Sequence, residues 1–202
     1  MTVLLDDKPL DSAPDRLADA LEAARQRLGS GGRVVVEVHL DGKPLTGADL
    51  DDPARQPLDG HDLRLYSADA KTLALSILDQ VRERLGEART LQADAADLLR
   101  QDRAQDGLRK VGSAIEVWLQ VQQAASQSAG LLGVDLDALR FDGKSIPDIV
   151  NDLLDQLREL KGMIEAGDTV GLADALLYEW DGSVDRWVGV IDALSAKIES
   201  PA

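Results

Sequence analysis

Apolar residues recur at steps of three and four residues from about Ala68 to the end of the chain, and no strand signal interrupts them. This spacing places apolar side chains on one face of an α-helix. Breaks in the pattern divide the region into four predicted helices, one over residues 69–102 and three that begin near Asp106, Ser145 and Asp168. Because short connections favour antiparallel neighbours, residues 68–202 are predicted to form an antiparallel four-helix bundle of long helices.

Two of these helices have recognisable features. Ser145 is a predicted N-cap with Pro147 in the first turn, a combination that suits the unpaired amide groups of a helix start. The last apolar stripe, which starts after Gly167, keeps its phase across Gly182. This pattern predicts one continuous helix with a kink at Gly182.

The first part of the chain has a different pattern, in which short apolar and β-branched runs alternate with turn residues. Runs at residues 3–5, 34–40 and 63–66 are predicted strands. Asp41-Gly42 follows the second run and is a dipeptide typical of hairpin turns. These features predict a small sheet.

One short amphipathic helix is predicted between the first two strands. Ser12 is its predicted N-cap, Pro14 and Asp15 lie in its predicted first turn, and Gly29 stops it. Residues 1–67 are therefore predicted to form a small αβ domain. Together with the bundle, this assigns the chain to the α+β class.

The strand that ends at Leu40 leads into a Gly-Lys turn, a leucine, a loop and a last strand. This order resembles the ubiquitin-like β-grasp family, on the residues Leu40, Gly42, Lys43, Leu45, Leu50 and Leu63-Arg64-Leu65. The resemblance covers about a third of the chain and implies a β-grasp-like fold and a role as a docking module. Conjugation chemistry is not implied, because the chain continues into helices where the family has a free Gly-Gly tail.

The composition excludes several classes of partner. The formal charge is −15, of which residues 1–67 contribute −5 and residues 68–202 contribute −10. Proteins bind nucleic acids and anionic membranes through concentrated Lys and Arg, whereas both parts of this chain are acidic. Neither is therefore an expected partner. The chain has no cysteine, no signal-peptide pattern and no apolar run long enough to span a membrane, which predicts a soluble cytoplasmic protein.

Residue types that carry common chemistry are scarce or wrongly spaced. His39 and His61 are the two histidines, and neither has a carboxylate, cysteine or second histidine at ligand spacing. Asp135 begins a segment similar to a calcium loop, but Arg140 and Ile146 stand where that loop needs a glycine and a glutamate. No catalytic residue, cofactor or metal is therefore predicted, and the chain is not expected to be an enzyme.

Residues 167–180 concentrate acidic and aromatic side chains in a chain whose aromatic content is only 3%. Tyr and Trp beside acidic groups are typical interface anchors. Trp180 and Trp187, seven residues apart, equally fit a helix core. Both interpretations stay open, and the candidate interaction residues are Asp168, Asp174, Tyr178, Glu179 and Trp180.

These features favour a non-enzymatic protein–protein interaction module, an adaptor or chaperone-like protein of the bacterial cytoplasmic type, which binds a protein partner. One alternative is a homo-oligomeric structural or scaffold protein, whose helix stripes would pair across a twofold axis in a homodimer. A second alternative is a ligand-binding or metal-binding protein built on carboxylates such as Asp174 and Glu179.

Overall fold

The computed structural model describes residues 2–10, 14–29 and 31–200. Contacts divide the chain into two compact units, Met1–Leu73 and Ala74–Ala202, which we name the N-terminal unit and the helical unit. The boundary predicted from the sequence lies at residues 67–68. A mixed sheet with a helix forms the first unit and long helices form the second, so the predicted α+β class is confirmed.

Five strands form one mixed sheet in the N-terminal unit, in the spatial order β2-β1-β5-β3-β4. The strands are β1 (Val3–Leu5), β2 (Lys8–Pro9), β3 (Arg33–Leu40), β4 (Lys43–Pro44) and β5 (Leu63–Asp69). The neighbours β1 and β5 are parallel, and the other neighbours are antiparallel. Both outermost strands are two residues long and contain a proline, which limits pairing with further strands.

The core of the N-terminal unit lies between this sheet and one helix, α1 (Leu17–Leu28). Leu63 and Leu65 of the central strand β5 are fully buried, in register with Val3 and Leu5 of β1. Leu17, Ala20 and Ala24 of α1 complete the same aliphatic cluster. The alternation of buried and exposed residues along β5 therefore sets which face of the sheet α1 covers.

Helix α1 begins later than the sequence predicts. Arg16 occupies the N-cap position, so Pro14 and Asp15 precede the helix. The carbonyl oxygen of Asp15 accepts a hydrogen bond of 2.9 Å from the amide of Leu58. The predicted first turn is wrong because its backbone pairs with the following loop, and the predicted Ser12 cap lies outside the described residues.

Three hairpins in the chain share one kind of tight turn, with positive φ at both central residues, as type I′ turns require. The pairs are Asp6-Asp7 (49° and 60°), Asp41-Gly42 (48° and 78°) and Asp142-Gly143 (51° and 76°). The third turn joins β6 (Arg140–Phe141) to β7 (Lys144–Ser145) in the helical unit. The prediction of no strand after Ala68 is therefore wrong, because two-residue strands are too short to show an alternating pattern.

The helical unit is built from helices joined by short connections, except between Leu131 and Ile146, where the chain forms a loop and a hairpin. Its helices are α2 (Ala70–Arg100), which starts directly after β5, α3 (Ala104–Leu131), α4 (Ile146–Ala166), α5 (Thr169–Asp174) and α6 (Trp180–Glu199). The predicted Ser145 cap is confirmed, since the Asp148 amide donates to Ser145 Oγ over 3.2 Å. A π turn at Ala175–Glu179 joins α5 to α6, so the irregularity lies one turn before the predicted kink at Gly182.

Contacts between side chains show how the helices run. Three arginines in order along α2 pair with aspartates in the reverse order on α6 and α5: Arg82–Asp192, Arg89–Asp185 and Arg100–Asp174. The same reversal holds between α4 and α6, in the pairs Asp152–Arg186 and Gln156–Ser183. Helices α2 and α3 meet through Asp94 and Lys110, close to the turn that joins them. These neighbours are therefore antiparallel.

Candidate functional site

The predicted interaction segment begins at an ordinary helix connection. Gly167 ends α4 with φ of 68°, a left-handed conformation that glycine adopts at low cost. Asp168 then caps α5, since its Oδ1 accepts a hydrogen bond of 2.8 Å from the amide of Gly171. A Cβ atom at Gly171 would overlap the Asp168 carboxylate. The role of Asp168 that the structure shows is therefore helix capping.

Val170, Asp174 and Tyr178 follow one another at four-residue steps along α5 and the π turn. Because a π turn is wider than an α turn, it brings Tyr178 over the face that carries Val170 and Asp174. Val170 and Tyr178 are each 72% exposed, whereas the next large apolar side chain among the described residues, Leu119, is 50% exposed. Turns of this kind are frequent at functional sites.

Arg100, at the end of α2, reaches the same face. Its Nη2 lies 3.0 Å from Oδ1 of Asp174. The contact with Tyr178, followed by the one with Asp174, raises the pKa of Arg100 above its ordinary value. We name Arg100, Val170, Asp174 and Tyr178 the Tyr178 patch. It joins an aromatic ring, an aliphatic side chain and an ion pair on one exposed surface.

The other two candidate residues of the segment have opposite environments. Glu179 is exposed, whereas Trp180 is 2% exposed. Trp180 packs edge-to-face on Trp118 with ring centroids 5.6 Å apart, and Trp187 does the same at 6.1 Å. The core interpretation of both tryptophans therefore agrees with their positions, and the indole of Trp180 does not reach the surface.

The core of the helical unit also contains a polar group that the sequence analysis did not identify. Gln92 on α2 is 1% exposed, and neither polar atom of its side chain has a hydrogen-bond partner among the described residues. An unpaired buried amide costs about 1–3 kcal/mol. In the sequence, this buried polar group could have been recognised as a glutamine that falls on the apolar stripe between Ala88 and Ala95. The indole N–H of Trp118 is likewise unpaired, although indole faces nearby can accept weakly.

Both histidines have a carboxylate neighbour, contrary to the prediction from sequence spacing. His39 Nε2 lies 3.2 Å from Glu37, and His61 Nδ1 lies 2.7 Å from Oδ2 of Asp41. The spacing argument is wrong because strands place residues two apart on one face, and the β3–β4 turn brings Asp41 near His61. The other oxygen of Asp41 accepts the amide of Asp62 over 2.9 Å. Principally this bond, and then His61, lowers the pKa of Asp41.

Four of the contacts between neighbouring helices are bridged by ion pairs on the surface. Such pairs join α2 to α5 and α6, α2 to α3, and α4 to α6. Ser126 of α3 and Val150 of α4 line one cleft. No ion pair joins α3 to α4 within the described ranges. Helices α3 and α4 carry exposed aliphatic side chains, which we name the α3–α4 seam: Leu108, Leu119, Leu154 and Ile164.

The segment similar to a calcium loop forms a loop and the β6–β7 hairpin. Asp135 Oδ1 accepts the amide of Asp137 over 2.9 Å, and Asp142 lies in the hairpin turn. In the described part of the chain, no three His, Asp or Glu side chains are placed to hold a metal ion. No helix there combines the length and apolarity needed to cross a membrane.

The candidate site is thus a surface and not a cleft with converging polar groups. Its members come from the end of α2, from α5 and from the π turn. Comparison of the chain with protein-family models, with curated proteins and with solved structures finds no match in any of the three.

Proposed function

We propose that the chain is a non-enzymatic protein–protein interaction module, an adaptor or chaperone-like protein of the bacterial cytoplasmic type, which binds its partner through the Tyr178 patch. The observation that carries this proposal is the 72% exposure of both Val170 and Tyr178 on one face. Tyr and Arg are enriched among the residues that dominate binding energy at protein interfaces. The patch supplies both types beside an aliphatic side chain.

The geometry of the patch favours binding for two physical reasons. Full burial of an aliphatic side chain such as Val170 contributes about 1.5–3 kcal/mol. Arg100 is already held by Asp174 and Tyr178, so a partner would not have to order its long side chain. A partner with an apolar centre and a carboxylate at its edge would complement this surface.

The N-terminal unit is proposed as a second docking surface. Its mixed sheet, with a parallel central pair β1–β5 and one helix packed on one face, supports the β-grasp resemblance. This topology also supports the docking role that the resemblance implies.

Two alternatives differ in what supports them. The carboxylate-based alternative depends on Asp174, whose carboxylate already contacts Arg100 at 3.0 Å. The homo-oligomeric alternative draws support from a different surface, the α3–α4 seam.

Photo-crosslinking in cells tests the proposed partner surface. A photo-crosslinking phenylalanine analogue at position 178 of the full chain is expected to give one discrete heavier adduct. The same analogue at exposed position 159 on α4 is the matched control. The position-178 adduct should weaken when Val170→Ser or Arg100→Ala is added, because each change removes part of the patch.

Two results would contradict the proposal. The first is an adduct pattern that is the same at positions 178 and 159. The second is a thermal stabilisation by Ca²⁺, Mg²⁺, Mn²⁺ or Zn²⁺ that disappears in Asp174→Asn, since it would support the carboxylate alternative.

A further inference from the structure

A cleft in the helical unit lies between three helices and the chain segment that joins α3 to β6. Each helix contributes residues three or four positions apart, a spacing that places side chains on one helix face. The helix residues that line the cleft are Gln122, Ala125 and Ser126 of α3, Ile146 and Val150 of α4, and Trp187, Val190 and Leu194 of α6. Leu136 and Leu139 form the remaining wall, so the lining is almost wholly apolar.

Two polar side chains also belong to the lining. Ser126 is exposed and Gln122 is half-buried, and Nε2 of Gln122 donates a long hydrogen bond of 3.5 Å to Oγ of Ser126. Both groups can pair with a further molecule, because an amide and a hydroxyl each offer several hydrogen-bonding positions. The cleft therefore combines an apolar interior with one place for a hydroxyl.

The lining residues of this cleft include no charged side chain. Three other clefts in the described part of the chain each include an arginine, such as Arg33 in the N-terminal unit and Arg103 at the start of α3. A charged molecule that entered the apolar cleft would lose its hydration without gaining an opposite charge. An uncharged molecule is therefore the occupant that the lining favours.

The free space in the cleft is small. It measures about 290 Å³ when its open mouth is included, at the lower end of the roughly 300–1,000 Å³ of small-molecule sites. Most of this space is too narrow for water, and the remainder holds about one water molecule. The atoms around narrow apolar space lack contacts that an apolar occupant would supply. A molecule with a single ring is the expected size, and it enters only if one wall moves.

The wall formed by residues 132–141, which we name the strap, is the part that can move. Its apolar side chains pack on the core but are only partly buried: Leu132, Val134, Leu136, Leu139 and Phe141. Its hydrogen bonds stay within the strap or go to the end of α3 and to β7. Within the described ranges, no hydrogen bond joins the strap to α4 or α6. A small outward shift of the strap therefore breaks only apolar contacts.

The strap is fixed at both ends. The amide of Val134 donates to the carbonyl oxygen of Ala129 over 3.0 Å, and the ring of Phe141 lies where a Cβ atom of residue 189 would be. Leu136 and Leu139 lie between these two points. The middle of the strap can therefore move outward and return while its ends stay in place.

We propose that this cleft binds a small uncharged aromatic molecule with one ring and one hydroxyl group. The ring lies beside Ala125 and Trp187, whose indole supplies an aromatic surface, and Leu136 and Leu139 close over it. The hydroxyl pairs with Gln122 or Ser126. None of these residues belongs to the Tyr178 patch, so the inference goes beyond the proposed function and can fail independently of it.

A titration of the full chain with 4-methylphenol tests the inference, because this probe has one ring, one hydroxyl and no charge at neutral pH. Amide chemical shifts of residues 136–139 and 187–194 are expected to change, while those of α1 and α5 stay constant. For a ligand of this size, the expected dissociation constant is on the order of 0.1–1 mM.

A variant that fills the cleft separates binding there from weak binding elsewhere. Ala125→Leu puts a larger side chain into the free space and should weaken binding by about tenfold or more. Filling apolar space usually preserves stability, and thermal unfolding checks that the variant is folded. Ala124→Leu makes the same change at a neighbouring position that does not line the cleft, so it should leave the dissociation constant unchanged.

Two related probes test the chemistry of the occupant. Toluene lacks the hydroxyl and should bind several-fold more weakly than 4-methylphenol, and 4-methylbenzoate, an anion, should cause no shifts at the cleft. The double variant Gln122→Met, Ser126→Ala should reduce the difference between 4-methylphenol and toluene, because it removes both polar partners and keeps the apolar lining.

Each other outcome overturns the inference. Constant shifts at residues 136–139 and 187–194 up to about 10 mM 4-methylphenol mean that the strap does not admit a ring. Undiminished binding in Ala125→Leu places the ligand elsewhere. Binding of 4-methylbenzoate as tight as that of 4-methylphenol contradicts the uncharged occupant. A crosslinked adduct at position 178 together with any of these results leaves the proposed function standing and removes this inference alone.

Discussion

The two units differ in what their polar side chains hold together. In the N-terminal unit, carboxylates bind backbone amides at turns, as Asp6 does with Ser67 and Asp41 does with Asp62. In the helical unit, Arg–Asp pairs join helices on the outside of the core. The core of the N-terminal unit is small and aliphatic, whereas the larger core of the helical unit contains three tryptophans and a buried glutamine with no hydrogen-bond partner among the described residues. The Tyr178 patch lies in the helical unit, and the proposed second docking surface lies in the N-terminal unit.

The comparison can be tested with a built-in probe. All three tryptophans lie in the helical unit, so tryptophan emission during unfolding reports that unit alone. Amide hydrogen exchange of β3 and β5 reports the N-terminal unit. The effect of a substitution on the stability of its own unit can then be compared with its effect on the stability of the other unit.

The largest effect is expected for Trp118→Ala. Its side chain is 0% exposed and contacts two other indoles, so its removal should lower the free energy of unfolding of the helical unit by about 3–5 kcal/mol. Denaturant titration followed by emission of the remaining tryptophans measures the change. Gln120→Ala, two positions away and exposed, is the control and should have little effect. Equal losses in both variants would show that the tryptophan cluster is not the centre of the core.

Gly189→Ala should have the next largest effect. A Cβ atom there would overlap the ring of Phe141, which the β6–β7 hairpin places against α6, so about 1–3 kcal/mol of stability should be lost. Gly182→Ala on the same helix meets open space and should instead gain about 0.5–1 kcal/mol from helix propensity. Thermal unfolding of both variants shows the opposite signs. A gain in both would mean that Phe141 does not pack on Gly189.

Gln92→Met should stabilise the helical unit by about 1 kcal/mol, since it replaces an unpaired buried amide with an apolar side chain of similar length. Gln80→Met on the exposed side of α2 is the matched control. The midpoint of chemical denaturation measures both. A loss of stability in Gln92→Met would indicate that the amide makes a hydrogen bond in solution.

The smallest effect concerns the N-terminal unit and pH. Hydrogen bonds from Ser67, and then Arg33, hold the pKa of Asp6 below its ordinary value. The stability that Asp6 contributes is therefore present above the ordinary Asp pKa of about 3.9 and is lost as the pH falls through the lower folded value. Asp6→Asn should reduce this acid dependence in hydrogen exchange of β3 and β5. Asp7→Asn, at the next position of positive φ, controls for the exchange of a carboxylate for an amide in the same turn.

The long elements of the helical unit could be predicted because their apolar stripes are long enough to fix both type and phase. Even so, at the start of α2 the buried residues are Ala74 and Leu78, whereas Leu73 and Ile77, one position before each, are only partly buried although their side chains are large and apolar. Small alanines hide such a shift, because a hydrophobicity pattern weights them less than leucine. The spacing of apolar residues predicts where a helix lies in the sequence, but not which of its neighbouring residues face the core.

The candidate site was predictable only in part. Asp174 and Tyr178 stood out by residue type, yet Arg100 lies 74 positions before Asp174 and no local pattern connects them. The π turn that aligns Tyr178 with Val170 also left no signal, since the apolar stripe continues through it.

The repeated turn with two residues of positive φ has a consequence for the order of folding. A hairpin closed by such a turn forms within about 1–10 µs, because it needs contacts only between residues close in sequence. Two of these hairpins lie in the N-terminal unit and one in the helical unit, directly before the Ser145 cap of α4. Each unit therefore contains at least one hairpin that can close through local contacts alone, without contacts from the other unit.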